Sequence, residues 1–529
     1  MQPTKKAKKR VSIGSIAALL AATAFLGQLL GLLRTRLVNA NFDAVGPNST
    51  DAYFAAFNIP DFFFFTLAAG ALGVAFMPVL ADHLQRGDKK GIWQLSSSLL
   101  NFLAIIMAVV GVVIFVFAEQ LIKYIVAPNL SPEQLHNAAT IMRFLAFNPL
   151  LFTISGIIMS VQQTIGRFFF FAIAPLLYNL AIIASIFVFR DNLGLVGLGV
   201  GALAGAVIQL LIAIVGLHGT GFRWHPRIAW KNKDFRLILR QLPPRSLDQG
   251  ADQINSIVET NLARRLGEGY ISYYNNAYTL HTAPIMLIGT AIATAAFPNL
   301  NNRLSQGRPD LFRKDFLKTL RAMIWIIMPV AVICFFARGY LARLLFAKNA
   351  PEIALIFGFL TAAIFFRTIY ALVSRWFYAQ KDTWTPLFVS VFTIGFNIVL
   401  AYNLAKPSSY GAAGLALAQS VVATVEVLIL GVIMVWRDHK LFDMDFINGI
   451  IKIISVTGFS VIAGYIMISL LPLGLGDTGF FALGTKFAAI AGVTAAVHIV
   501  VSGIFGLDEA KPIFRWLKRI VFRPIKVQF

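Results

Sequence analysis

The fold class that this sequence predicts is an all-α polytopic membrane protein of about 14 transmembrane helices, with two parallel six-helix repeats forming N- and C-lobes and two appended C-terminal helices. Three observations carry that expectation. Of 529 residues, 58% are hydrophobic and only 13% charged, with a mean hydropathy of +0.73; a soluble chain carries roughly 25% charge, so a soluble enzyme and a disordered tail protein are both excluded. Apolar runs of about 20 residues, the length needed to cross a hydrocarbon core, recur along the whole chain. A segment of the first half also returns in the second at a fixed offset.

In chain order, residues 1–12 form a basic cytoplasmic tail with Lys5, Lys6, Lys8, Lys9 and Arg10. The apolar stretch from Ile13 to about Leu33 is too long for a signal-peptide core and has no small-residue cleavage pattern, so it reads as a retained first span. Spans follow at 13–38, 52–82, 92–118, 135–162, 168–189, 196–218, 238–264, 270–301, 316–337, 353–380, 384–404, 411–436, 449–472 and 481–506. With both termini cytoplasmic, inside segments hold 30 Lys and Arg against 11 outside, as the positive-inside rule requires. That alternation needs the seventh span, although Asp248, Asp252, Asn255 and Glu259 make it polar. The domain reading is an N-lobe at 13–221, a basic cytoplasmic linker at 222–245, a C-lobe at 246–440, appended helices at 441–506 and a basic amphipathic tail at 507–529.

The repeat lies at an offset of 220: Asp51 to Gly87 aligns without gaps to Ile271 to Gly307, with Tyr53/Tyr273, Pro78/Pro298, Leu84/Leu304 and Gly87/Gly307 identical. A looser pair joins Gln163 to Arg167 with Tyr378 to Asp382. Six spans separate the members of each pair, an even number, so the two halves share one orientation. Parallel repeats of this kind suit transporters whose bundles move around a site near the midplane.

Three blocks carry a family resemblance: Thr50-Asp51-Ala52-Tyr53-Phe54-Ala55-Ala56-Phe57-Asn58-Ile59-Pro60, Gly70-Ala71-Leu72-Gly73-Val74-Ala75-Phe76-Met77-Pro78-Val79-Leu80, and Phe377-Tyr378-Ala379-Gln380-Lys381-Asp382-Thr383-Trp384-Thr385-Pro386. In these the chain resembles the MurJ/MviN family of lipid II flippases, within the multidrug/oligosaccharidyl-lipid/polysaccharide exporter superfamily. The resemblance implies movement of undecaprenyl-pyrophosphate-linked disaccharide-pentapeptide from the inner to the outer leaflet for peptidoglycan synthesis and cell shape. It also implies a water-filled cavity in which cations pair with pyrophosphate, and residence in the bacterial inner membrane.

The chain departs from the family's pattern at the anion site. The first helix has Gln28, Gly31 and Arg34-Thr35, so one arginine remains. The paired arginines of the second helix fall on Phe64 and Phe65, its acid on Ala69, and the arginine of the eighth helix on Thr279. The candidate substrate-binding residues are Arg34, Arg367, Asp51, Asn58, Thr279, Arg143 and Arg375. Arg367 is notable because a cation in mid-span is tolerated only against a cavity or a carboxylate. Asp51 serves equally as a helix cap. Asp248, Asp252, Asn255 and Glu259, spaced 4, 3 and 4, share one helical face; with Thr393 and Asn397 they form a candidate Na⁺ or H⁺ coupling group.

Phe62 to Phe65 and Phe168 to Phe171 cover every face of a helix and read as packing or lipid contact. The tail interleaves Lys511, Arg515, Lys518, Arg519, Arg523 and Lys526 with Phe514, Trp516, Leu517, Ile520 and Phe522, a basic interfacial segment for anionic lipids. Cys334, the only cysteine, lies in an apolar run and has no disulfide partner. No P-loop, catalytic triad or zinc spacing occurs in a loop large enough to hold a catalytic domain, so the expectation is a non-enzyme without cofactor, powered by a Na⁺ or H⁺ gradient or the membrane potential. Its expected partners are the lipid-linked glycopeptide, anionic lipids and the cell-wall synthesis machinery, not nucleic acid. Two alternatives stay open: a flippase for another polyprenyl-linked glycan or a cation-coupled drug exporter, and a non-transporting cell-wall scaffold.

Overall fold

The computed structural model describes residues 13–69, 76–346, 348–474, 476–477 and 479–515; the side chains of residues 13–18, 69, 243–245 and 247–248 lie outside that description. Among the described residues the regular structure is entirely helical. The helices are α1 (Ile13–Asn41), α2 (Thr50–Phe63), α3 (Met77–Gln85), α4 (Lys89–Leu121), α5 (Pro132–Leu145), α6 (Asn148–Thr164), α7 (Phe168–Leu193), α8 (Val196–Gly216), α9 (Lys233–Leu266), α10 (Tyr270–Pro284), α11 (Ala291–Ser305), α12 (Pro309–Phe336), α13 (Arg338–Leu345), α14 (Ala350–Ala379), α15 (Trp384–Leu404), α16 (Ala412–Arg437), α17 (Met444–Leu470) and α18 (Phe480–Ile504). Eleven helical segments among the described residues are long and apolar enough to cross a membrane. The sequence spans at 13–38, 52–82 and 238–264 are not among those eleven. The second contains a π-helical stretch at Phe64–Ala69, and residues 70–75, which hold part of the second family block, lie outside the described residues. The third carries the acidic side chains that sequence reading had already noted.

The chain forms two compact units, residues 1–271 and 272–529. In the first, Phe76, Leu80, Ile92, Leu99, Ile157 and Phe235 are among the buried core side chains. Its α7 and α8 pack together where Gly197, Gly201 and Gly205 stand four residues apart. A Cβ on Gly201 would lie 2.1 Å from Ser185 Oγ, and one on Gly205 3.0 Å from the Tyr178 carbonyl; small residues at this spacing let two backbones approach closely in a membrane. In the second unit Phe316, Met323, Leu372, Trp376, Phe377 and Leu430 are core members, and α17 and α18 pack on one another and on α12. Cys334 is buried there, as expected.

Local geometry repeats with the sequence. Gly87 (φ +72°) and Gly307 (φ +68°) occupy the same left-handed turn. Gly87 N bonds Leu84 O and Asp88 N bonds His83 O, and 220 residues later Gly307 N bonds Leu304 O and Arg308 N bonds Arg303 O. π-Helical stretches interrupt both halves, at Phe64–Ala69 and at Ile285–Thr290. The looser pair also holds: Arg167 N bonds Gln162 O as Asp382 N bonds Phe377 O, with Gly166 (φ +80°) and Lys381 (φ +61°) in the turns. A third pair escaped sequence reading. Gly194 and Gly411 share φ 55° with ψ −135° and −134°, a backbone region open essentially to glycine alone.

One boundary differs from the sequence division. Helix α9 runs unbroken from Lys233 through the residues divided between a linker ending at 245 and a lobe beginning at 246, and it belongs to the first compact unit. Packing explains this: α9 sits so close to Thr66 at Gly250 that a Cβ there would lie only 3.1 Å from Thr66 Cγ2, and the far end of α9 is ion-paired to α2.

Candidate functional site

Asp51 stands in the first turn of α2, but the cap is Ser49, whose Oγ accepts from Asp51 N at 3.1 Å. The Asp51 carboxylate is wholly enclosed. Its Oδ2 accepts from Gly269 N at 2.7 Å and faces Arg264 Nη1 at 3.4 Å. Arg264, also buried, donates through Nη2 to Asn129 O at 2.9 Å and to Gln134 Oε1 at 3.1 Å. Gln134 in turn donates to Gly46 O at 2.9 Å and to Glu268, whose Oε1 accepts from Gly46 N at 2.7 Å. These bonds latch the end of α9 to the loop before α2. Asp51, a candidate substrate residue from the sequence, is buried and engaged in the latch. Asn58, about two turns further on, is half-buried, donates to Phe54 O at 3.1 Å and accepts from Thr260 Oγ1 of α9 at 3.3 Å.

Arg34 lies half-buried on α1, and its charge acts on Asp61 and Tyr53 of α2 and on Tyr178 of α7. Sequence reading did not single out Asp61; a lone carboxylate directly after Pro60 in an otherwise apolar span was the available signal. The family's arginine positions Phe64 and Phe65 are apolar instead, with the Phe64 ring edge-on to Phe152 at 5.5 Å. On α9, Asn255 and Glu259 are buried, and Asn255 Nδ2 donates to Glu259 Oε1 at 3.1 Å; Asp252 is exposed. The side chain of Asp248 lies outside the described residues. Arg143 is half-buried in the last turn of α5.

In the second unit Arg367 of α14 donates to Glu426 Oε2 of α16 at 2.8 Å and reaches Gln419 Oε1 at 3.5 Å. Glu426 is 1% exposed and Arg367 27%, so the cation is held by a buried counter-charge on one side and accessible on the other. Glu426 is the single acid in the apolar span 411–436, a signal that sequence reading passed over. Arg375 donates to Ala371 O at 2.7 Å and to Thr294 Oγ1 at 3.4 Å. Thr279 turns back on its own helix, Oγ1 to Asn275 O at 2.8 Å. Thr393 and Asn397 are each 1% exposed on α15, with Thr393 bonded to Ser390 O at 3.0 Å. Their α15 belongs to the second unit, whereas Asp252, Asn255 and Glu259 belong to the first.

The loops between helices hold a second class of charge. Burial pushes the Asp382 carboxyl toward its neutral form, but bonds from the Thr385 hydroxyl and N–H and from Arg437, the last at 2.6 Å, outweigh it and hold the pKa below its ordinary value. Asp88 is also held low, by the Gly91 N–H and by His83. Residues 516–529, with most of the basic tail, lie outside the described residues. Among the described residues no cluster of His, Cys, Asp and Glu is arranged to hold a metal ion.

Comparison with known proteins adds to this geometry. The sequence model of the family described as "Lipid II flippase MurJ" matches residues 46–487. One similar protein is the "Probable lipid II flippase MurJ" of Rhizobium meliloti (strain 1021), 25% identical over 501 residues that cover 91% of this chain and 92% of that one. Among solved structures, "Lipid II flippase MurJ, inward closed conformation" matches with a TM-score of 0.76 at 22% identity, over 92% of this chain and 98% of that one. An inward-facing multidrug resistance MATE family transporter of the MOP superfamily matches with 0.67 at 16% identity, over 83% and 98%. The two structural likenesses establish the fold, while the family match spans most of the sequence: this chain belongs to the lipid II flippase MurJ family.

Proposed function

We propose that the protein flips lipid II from the inner to the outer leaflet of the bacterial plasma membrane by alternating access, supplying cell-wall synthesis. The match of the family sequence over residues 46–487 carries this reading. The chemistry of the site supports it, because each unit holds a partly accessible arginine at membrane depth, Arg34 in one and Arg367 in the other. Such cations are tolerated in a span when they serve an anion, and a guanidinium fits a phosphate oxygen pair. Both termini are cytoplasmic in this reading, supported by the excess of Lys and Arg in those segments. The basic tail rests on anionic lipids. A cation gradient or the membrane potential drives the cycle, with Glu259, which accepts a hydrogen bond from Asn255, supplying the acidic group on α9.

The test is translocation of fluorescent lipid II in proteoliposomes. Wild-type protein is expected to move the lipid, and Arg34→Ala and Arg367→Ala to slow it at least tenfold; equal rates with and without protein would end the reading. The replacement of family arginines by Phe64, Phe65 and Thr279 favours one variant of it, a different polyprenyl-linked head group. Competition between lipid II and a polyprenyl lipid with a neutral glycan decides between them.

A further inference from the structure

His83 of α3 bridges two carboxylates in the first unit. Its Nδ1 lies 2.9 Å from Asp88 Oδ2 and its Nε2 lies 3.0 Å from Asp234 Oδ2. Asp88 ends the turn between α3 and α4 and caps α4 through Oδ1, which accepts from Gly91 N at 2.9 Å. Asp234 stands in the first turn of α9, 151 residues from His83 in sequence. Beside the bridge, Leu80 of α3, Ile92 of α4 and Phe235 and Ile238 of α9 share one buried core. The start of α9 is therefore held to the α3–α4 turn by apolar packing and by one imidazole.

An ionised carboxylate only accepts hydrogen bonds, and a neutral imidazole has a single N–H. Both contacts are hydrogen bonds only when the ring carries two protons and a positive charge. Asp88 stays an acceptor, since the Gly91 N–H and His83 hold its carboxyl below the ordinary value. Loss of one ring proton leaves a bare nitrogen facing a carboxylate oxygen. Asp88 keeps its cap bond and its own N–H bond to His83 O in the same turn, so the contact that yields is the one to Asp234. The charged neighbours in sequence, Asp82, Arg86, Lys89 and Lys90 on α3 and α4 and Lys231, Lys233 and Arg236 around Asp234, are exposed to solvent. Helix α6, which also packs on α3, carries no charged or titratable side chain.

The repeat supplies an internal comparison. The offset of 220 puts Arg303 at the position of His83, in the same left-handed turn. Arg303 Nε donates to Asp315 Oδ2 of α12 at 2.8 Å, and a guanidinium is always charged. The second unit thus ties this turn with a permanent cation, whereas the first uses the one side chain that ordinarily changes charge between about pH 5 and pH 8.

We propose that His83 is a proton-operated clamp: its imidazolium joins Asp88 to Asp234 and holds the start of α9, and release of one ring proton to water frees Asp234 and loosens that end. Glu259 and the Arg264 latch lie toward the other end of α9, so the clamp sets how firmly the helix is held at the end opposite the latch. The docked form binds the extra proton, so docking is firmest on the acid side of the window and weakens as pH rises through it. The distribution of Lys and Arg puts this turn in the cytoplasm; that placement alone rests on the flippase reading.

Hydrogen exchange of the full chain in phosphatidylcholine nanodiscs tests the clamp, read on residues 233–239 and corrected for the intrinsic pH dependence of amide exchange. Asp88 and Asp234 are 47% and 41% exposed, so wild-type protection is expected to fall only about threefold between about pH 5 and pH 8, as suits a half-exposed ion pair. His83→Arg, which copies the second unit, should stay protected across that range, and His83→Gln should be equally weak at both ends. A wild-type profile as flat as that of His83→Gln overturns the proposal, and so does a pH dependence that survives in His83→Arg. No lipid II is added, so neither result bears on the flippase reading, and a failure of transport leaves the clamp standing.

Discussion

Asp51 Oδ2 and Arg264 Nη1 lie 3.4 Å apart with both side chains buried, across 213 residues of sequence. Removing one partner leaves an uncompensated buried charge, so Arg264→Ala is expected to destabilise the first unit by about 3–5 kcal/mol. Arg264→Ala combined with Asp51→Asn should recover a substantial part, because the Gly269 N–H still finds an acceptor. Thermal unfolding in detergent measures both, and equal melting of wild type and Arg264→Ala would rule out the latch.

Glu426 competes with any substrate anion for Arg367 through the 2.8 Å ion pair. Glu426→Gln keeps an acceptor and removes the charge, so lipid II is expected to bind about tenfold more tightly, in line with the strength of a charge-assisted bond. Binding of fluorescent lipid II to the two proteins checks this. Unchanged affinity would show that Arg367 does not meet the head group.

The Asp382 carboxyl, held low by Thr385 and Arg437, gives a pH signature. A folded-state value below the unfolded one stabilises the fold above the unfolded-state value, about 3.9, and that contribution disappears as pH falls through the lower folded value. The stability gap between wild type and Asp382→Asn should therefore be full at neutral pH and close in strong acid. A gap independent of pH would contradict the assignment.

Gly201→Val tests the α7–α8 contact. With Ser185 Oγ at 2.1 Å from the position of a Cβ, the helices must separate, at a cost of about 1–3 kcal/mol or more. Gly395, where a Cβ meets nothing within 4 Å, is the control: Gly395→Ala should leave the melting temperature unchanged or slightly raised, measured in the same scan.

Much of the architecture was legible in sequence. Hydropathy and the Lys and Arg distribution are properties of successive residues, and they suffice to predict helices, spans and a parallel repeat, because lipid forces a backbone to satisfy its own hydrogen bonds. The repeat match at Gly87 and Gly307 proved to be the same turn twice. The candidate site was legible in its cations, Arg34 and Arg367, since a guanidinium in an apolar run stands out. Its anions were not: Glu426, Asp61 and the latch residue Glu268 are single acids whose meaning depends on what faces them.

By itself, then, the sequence determined the membrane class and the helix order, which follow from composition and spacing along one dimension, while three motif blocks carried the family resemblance. Tertiary structure alone decided that Asp51 belongs to a latch, that Arg367 has a buried counter-charge, and that α9 packs with the first unit. The physical reason is that the energy of a charge or a polar atom is set by its distance to a partner and by the water excluded around both. Those quantities exist only once the helices have packed.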